Sequence, residues 1–177
     1  MKTYILMGFV FLLLLAGCSY DNTVPYPSHN EIEIYGLYGY LNESATTSMP
    51  EANTYYPISG TFINKPSDGF YYNDTLNAIV YNNSEPRYFR ITYHATLDAD
   101  INNVENTITI AVNGTPVTRG SMSNYLKFAT ERAHLSSVLV KELHPGEYVQ
   151  LVSKNNQDNV NIIFEELTTS IQTFFEG

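Results

Sequence analysis

The stretch TITIAVNGTPVT, Thr107 to Thr118, alternates apolar and polar residues up to an Asn-Gly dipeptide and resumes the alternation beyond it. A period of two puts the apolar set on one face of a strand. Asn113-Gly114 supplies two residues that tolerate positive φ, which a two-residue type I′ hairpin demands. Such a turn sets Val112 opposite Thr115 and Ile110 opposite Val117, with both pairs on one face. Pro116 then stands opposite Ala111 with its missing N–H pointing away from that partner, so the returning strand is predicted to be an edge or to be bulged there. A hairpin of this kind indicates antiparallel sheet and carries no chemistry of its own.

The segments on either side extend the pattern. In Tyr88 to Asp98, YFRITYHATLD, one face takes Phe89, Ile91, Tyr93, Ala95 and Leu97, and the other takes Arg90, Thr92, His94 and Thr96. Leu135 to Val140 and Tyr148 to Val152 read as strands joined through the turn His144-Pro145-Gly146, and Asn155 to Asn159 is a second turn cluster. Val160, Ile162 and Phe164 share one phase while Leu167, Thr169 and Ile171 have the opposite one. Glu165-Glu166 is therefore predicted to mark a bulge or a tight turn between two strands. Upstream, EIEIYGLYGY (Glu31 to Tyr40) reads as a first strand with bends or close backbone approach at Gly36 and Gly39. Asn42 to Asn53 reads as polar loop, Tyr55 to Ile63 and Leu76 to Tyr81 as holding short strands, and Ser121 to Arg132 as a bend or loop with a short strand. No segment has the pattern of a long helix. Strands at this spacing predict an all-β fold, a two-sheet antiparallel jelly-roll sandwich of about eight strands.

Composition agrees with that class and narrows the function. The 177 residues contain 15 Tyr, 9 Phe and no Trp, with only 15% charged residues, a mixture suited to strands and turns. The length fits one domain. A formal net charge of -9 disfavours nucleic acid as a partner, because affinity for phosphate backbones rests on Lys and Arg, and it disfavours simple adsorption to an anionic membrane.

The start of the chain carries a different signal. Lys2 precedes the apolar run Tyr4 to Leu15 and then Leu15-Ala16-Gly17-Cys18, the pattern of a secretory signal peptide over residues 1–17. The run is short for a membrane span, which needs roughly 20 apolar residues. Leu-Ala-Gly-Cys resembles the lipobox of bacterial lipoproteins. That resemblance implies a diacylglycerol on the Cys18 thiol, cleavage before it, acylation of the new amine, and a lipid-anchored protein of the bacterial cell envelope. Ser19 rather than Asp after the cysteine is the pattern that usually permits transfer to an outer membrane. The alternative is that Cys18 follows an ordinary cleavage site by chance. As the only cysteine, Cys18 leaves no disulfide to brace the domain. Residues 18–30, with two prolines and no apolar periodicity, read as a flexible tether, and 31–177 as the jelly-roll domain.

Three pieces taken together carry a further resemblance: Tyr88-Phe89-Arg90-Ile91-Thr92-Tyr93-His94, the Ile108 to Gly114 strand and turn, and Leu143-His144-Pro145-Gly146-Glu147-Tyr148-Val149-Gln150-Leu151. In order, they resemble elements of the tumour necrosis factor-like superfamily, in its complement globular-head branch and in related domains of bacterial surface proteins and phage fibres. Glu147 stands where the family more often has Asp. Pro86-Arg87 stands where it often has Gly, and the collagen stalk of the complement proteins is missing. The resemblance implies a ten-stranded jelly roll that assembles as a homotrimer, with aromatic strand residues meeting at the three-fold axis. Phe89, Tyr93 and Tyr148 are the candidates for that position.

Catalytic constellations are not evident. His29, His94, His134 and His144 form neither an H-E-x-x-H nor an H-x-H pair, and no nucleophile-elbow motif supports a Ser-His-Asp triad. Asp98 and Asp100, with Asn102-Asn103, form an acidic loop with weak calcium-binding character, which turn formation explains equally. No cofactor is implied. Eight of the tyrosines fall between Tyr35 and Tyr81, where they serve strand packing or a recognition surface. The leading expectation is a lipid-anchored, non-enzymatic surface protein whose trimeric domain binds a protein or glycan through loops. The alternatives are a phage- or prophage-type fibre or decoration protein, and a hydrolase built on a sandwich.

Overall fold

The computed structural model describes residues 36–65 and 69–174. Cys18, the expected signal peptide and the expected tether lie outside the described residues. Thirteen strands are described: β1 (Gly36–Leu41), β2 (Ala45–Met49), β3 (Tyr56–Pro57), β4 (Phe62–Lys65), β5 (Phe70–Asn73), β6 (Ala78–Tyr81), β7 (Arg87–Ala99), β8 (Val104–Val112), β9 (Thr115–Pro116), β10 (Met122–Leu126), β11 (Ala133–Leu143), β12 (Tyr148–Asn155) and β13 (Val160–Thr173). They make a six-stranded sheet in the order β11-β7-β13-β1-β4, with β2 also on β13. The second, seven-stranded sheet runs β10-β8-β12-β6-β5, with β3 on β12 and β9 on β8. Every described pairing is antiparallel.

The hairpin forms in the predicted register. Asn113 and Gly114 both have positive φ, 51° and 74°, and Val112 pairs with Thr115. Val117 donates its N–H to the Ile110 carbonyl at 2.8 Å. Pro116 pairs with Ala111 in a strand only two residues long, and the chain leaves through a 3₁₀ turn at Thr118–Gly120. It returns as β10, which takes over the edge of β8 from Met122 opposite Ile108 to Leu126 opposite Val104. A proline that cannot extend a ladder thus splits this edge between two short strands.

The core lies between the two sheets. Phe89, Ile91, Tyr93, Ala95 and Leu97 of β7 face inward, as do Ile108, Ile110 and Val112 of β8. An aromatic group closes one part of it: the Phe89 ring stands edge-on to Phe70 and Tyr81 at centroid distances of 5.0 and 4.9 Å.

β13 runs unbroken from Val160 to Thr173. Its register against β7 slips between Phe164 and Glu166, so Glu165 is the extra residue of a bulge and not part of a turn between two strands. The slip lets Phe164 and Leu167 both face the core despite their odd spacing. Asn42 to Asn53 is not wholly loop, because it contains β2, whose Thr47 and Met49 are buried. Threonine is polar to a hydropathy pattern but β-branched to a strand, and Thr47 Oγ1 accepts the Ser59 N–H at 2.9 Å. Tyr55 to Ile63 divides between the sheets: β3 joins one and β4 the other. The chain turns between them at Gly60, whose φ is +133° and where a Cβ would lie 2.5 Å from Leu41 Cδ2.

Candidate functional site: the open face of the six-stranded sheet

Alternation along β7 sends Tyr88, Arg90, Thr92 and His94 away from the core, and strand register places their neighbours. Arg90 lies between Val140 and Gln172. Thr92 lies between Val138 and Ser170, with Tyr38 next in the row, and His94 lies between Ser136 and Thr168, with Tyr40 and Ile63 beyond. The last row holds His134, Thr96 and Glu166. The result is one continuous face across β11, β7, β13, β1 and β4.

Apolar side chains make up much of its exposed surface, beside the exposed Arg90, His94, His134 and Ser136. Tyr38, Ile63, Tyr88, Val138 and Val140 are exposed, between 38% and 55%. Its centre holds hydroxyls and no carboxylate: Thr92 and Ser170 share a hydrogen bond at 2.7 Å, and a shallow open depression of about 450 Å³ runs along Thr92, His94, Ser136, Val138 and Thr168. Charge gathers toward the ends. Glu142 lies near His144 at one end, at 3.9 Å, and Glu165 holds Arg132 at 2.6 Å near the other. Arg90 sits over the Phe174 ring, 5.8 Å from its centroid. In a protein of net charge -9, the centre of this face is part-apolar and free of carboxylates, with the acidic side chains toward its ends.

The three residues suggested for a trimer axis do not share this face. Phe89 and Tyr93 point into the sandwich and are 0% and 2% exposed, because the phase that carries Tyr88 and Arg90 outward carries them inward. The Tyr93 hydroxyl donates toward the carbonyls of Ile108 at 3.1 Å and Gly120 at 3.3 Å, and burial pushes its phenol up to about 12. Tyr148 belongs to the other sheet. It packs over the Asn-Gly turn, with its backbone N–H donated to Asn113 Oδ1 at 3.0 Å and its hydroxyl 3.4 Å from the site of a Gly114 Cβ. The residues of the open face come from the polar phase of the same strand, and that phase was the available signal.

Asp98 and Asp100 take separate roles. Asp100 accepts from Asn161 through both oxygens, at 3.0 Å from its N–H and 2.6 Å from its Nδ2, and so fixes the start of β13. Asp98 has one buried oxygen without a hydrogen-bond partner. Burial and then the nearby Glu165 raise its carboxyl above the ordinary value, with Arg132 pulling the other way. Among the described residues no three His, Cys, Asp or Glu side chains converge on one point. Between the sheets, beside Asn64, Tyr72 and Gln150, the cavity measures about 20 Å³, room for one water.

By sequence the chain matches no family profile and no curated protein. By structure it is similar to the tumour necrosis factor Eiger of S. frugiperda, with a TM-score of 0.53 and 8% identity over 81% of this chain and 94% of that one. It is also similar to the globular domain of the zebrafish complement 1qA protein, with a TM-score of 0.42 and 13% identity over 81% of this chain and 98% of that one. The fold is a tumour necrosis factor-like jelly roll.

Proposed function

We propose that this chain is an exported, lipid-anchored binding protein of a bacterial envelope, without enzymatic activity, whose jelly roll assembles as a homotrimer through the open face of the six-stranded sheet. The observation that carries the proposal is that face: five exposed apolar side chains in adjoining rows, a centre without carboxylates and acidic side chains at the ends. Further copies of the same chain are the occupants that suit it. The excess of acid, -9 over the full sequence, makes copies repel one another, and this centre is where they meet without bringing carboxylates together. The likeness to a tumour necrosis factor supports the same reading, because domains of that superfamily assemble as trimers. A protein or glycan partner is then bound by the loops, which stay free. Cys18 supplies the anchor; its two or three acyl chains would hold firmly where a single chain is marginal.

Sedimentation of the fragment Ser19 to Gly177 tests the assembly. A trimer that Val138→Asp converts to folded monomer is the expected result, and a wild-type monomer at micromolar concentration sinks the proposal. Fatty-acid labelling tests the anchor separately: label should vanish in Cys18→Ala, and label that persists there excludes lipid at that residue.

A further inference from the structure

Thr96 is 4% exposed, yet its hydroxyl lies between two polar groups of the open face. Its Oγ1 is 3.2 Å from Glu166 Oε2 and 3.1 Å from His134 Nδ1. An ionised carboxylate only accepts, so the single hydroxyl proton is directed to Glu166. The lone pair left on the hydroxyl then accepts from His134 Nδ1–H. A neutral imidazole carries one N–H, so His134 is held in the tautomer whose Nε2 is a bare lone pair at the surface. A carboxylate that fixes an imidazole in this way, here through one hydroxyl, is the outer arrangement that orients histidine toward a metal.

A second imidazole lies beside it. His94 and His134 project from neighbouring strands two residues apart in register, both exposed, with ring planes 14° from parallel and centroids 6.5 Å apart. An ion about 2 Å from each nitrogen would set the two centroids roughly 5–6 Å apart. Rotation of the exposed His94 side chain closes that difference without moving a strand and leaves His134 on Thr96. We propose that His94 and His134 bind a divalent first-row transition ion, copper or zinc, with Thr96 and Glu166 positioning His134. Imidazole donors select that class over calcium or magnesium, which want oxygen. The surrounding charge favours a cation: Glu166, Glu165 and Asp98 stand at this end of the face, and Arg132 is already held by Glu165. With two protein ligands the site keeps open positions for water or for a donor from another molecule. Both ligands come from one protomer but lie on the face that the proposed trimer covers, so the Val138→Asp monomer is titrated beside the wild type: two-imidazole binding is expected in that monomer whether or not the wild type assembles.

The test is titration of the full chain, in mild detergent, with Cu²⁺ alone, read by electron paramagnetic resonance. One ion per chain, with coupling to two imidazole nitrogens, is expected. His94→Gln and His134→Gln, both at exposed positions, should each reduce that coupling to one imidazole and weaken binding more than tenfold. Thr96→Val keeps the buried shape and should retain both nitrogens while binding about tenfold more weakly. His144→Gln, which alters the histidine beside Glu142, should change nothing. A two-imidazole signal that survives in the His94→Gln, His134→Gln double variant, or that disappears in His144→Gln, overturns the assignment.

Discussion

Replacing Phe89 by leucine separates the inside of this molecule from its proposed interface. The ring is fully buried and meets Phe70 and Tyr81 edge-on, at 5.0 and 4.9 Å. Leucine keeps most of the apolar contact and loses both ring-to-ring contacts, each worth about 0.5–1.5 kcal/mol. The cost is therefore about 1–3 kcal/mol, taken from a stability that for most domains is about 5–15 kcal/mol. For a domain of this size each kcal/mol moves the melting point by about 2–4 °C, so a fall of roughly 2–12 °C is expected. Circular dichroism melts give the shift, and urea titration should show a lower midpoint with an unchanged slope, because the same surface is exposed on unfolding. Sedimentation at the same protein concentration should show the wild-type assembly. A Phe89→Leu variant that melts like wild type but falls to monomer would refute the inward placement, and with it the assignment of the open face to the opposite phase of β7.

Three other outcomes follow from the same structure. Asp98→Asn should raise the melting point near pH 7. The folded carboxyl sits above its ordinary 3.8, so its ionised form is the costly one; the gain should shrink as pH falls and vanish below that value, and a gain that persists at pH 3 would contradict this account. Gly114→Ala forces a side chain into φ +74° and should cost roughly 1–2 kcal/mol in a denaturant melt, with the oligomer unchanged. Tyr93→Phe removes a buried donor shared between two carbonyls and should cost about 1 kcal/mol without altering sedimentation, whereas Val138→Asp should do the reverse.

Local chemistry made much of the fold legible. Asn113-Gly114 determines a turn type, the turn type determines register, and Pro116 determines where an edge stops; each step depends on residues adjacent in sequence. The phase reversal around Glu165 likewise exposed a bulge, though not that the strand continues through it. β2 is hidden in the sequence because its buried positions are filled by threonine and methionine amid polar neighbours. The facing of β7 was legible as two sets, but the sequence does not say which set a second copy would cover. Phe89 and Tyr93 looked like interface residues because aromatic rings suit both cores and interfaces, and only the position of the second sheet tells them apart. The Thr96 relay was invisible for a simpler reason: Thr96, His134 and Glu166 meet only through the pairing of three strands far apart in the chain.

The placement of β13 has a consequence for how the protein comes into being. It is the final strand of the described chain, yet it lies in the middle of its sheet, with β7 on one side and β1 and β2 on the other. Until residues 160–173 have been synthesised, the first described strand has only the four residues of β4 to pair with in that sheet, and the long β7 lacks one of its two partners. The ribosome must therefore reach residue 173 before this sheet can close. Maturation is then a late, cooperative event dominated by distant pairings, which makes it slow and leaves the nascent chain open for a long interval. In the exported form proposed above, where the chain is threaded through a translocase before it folds, that delay is an asset.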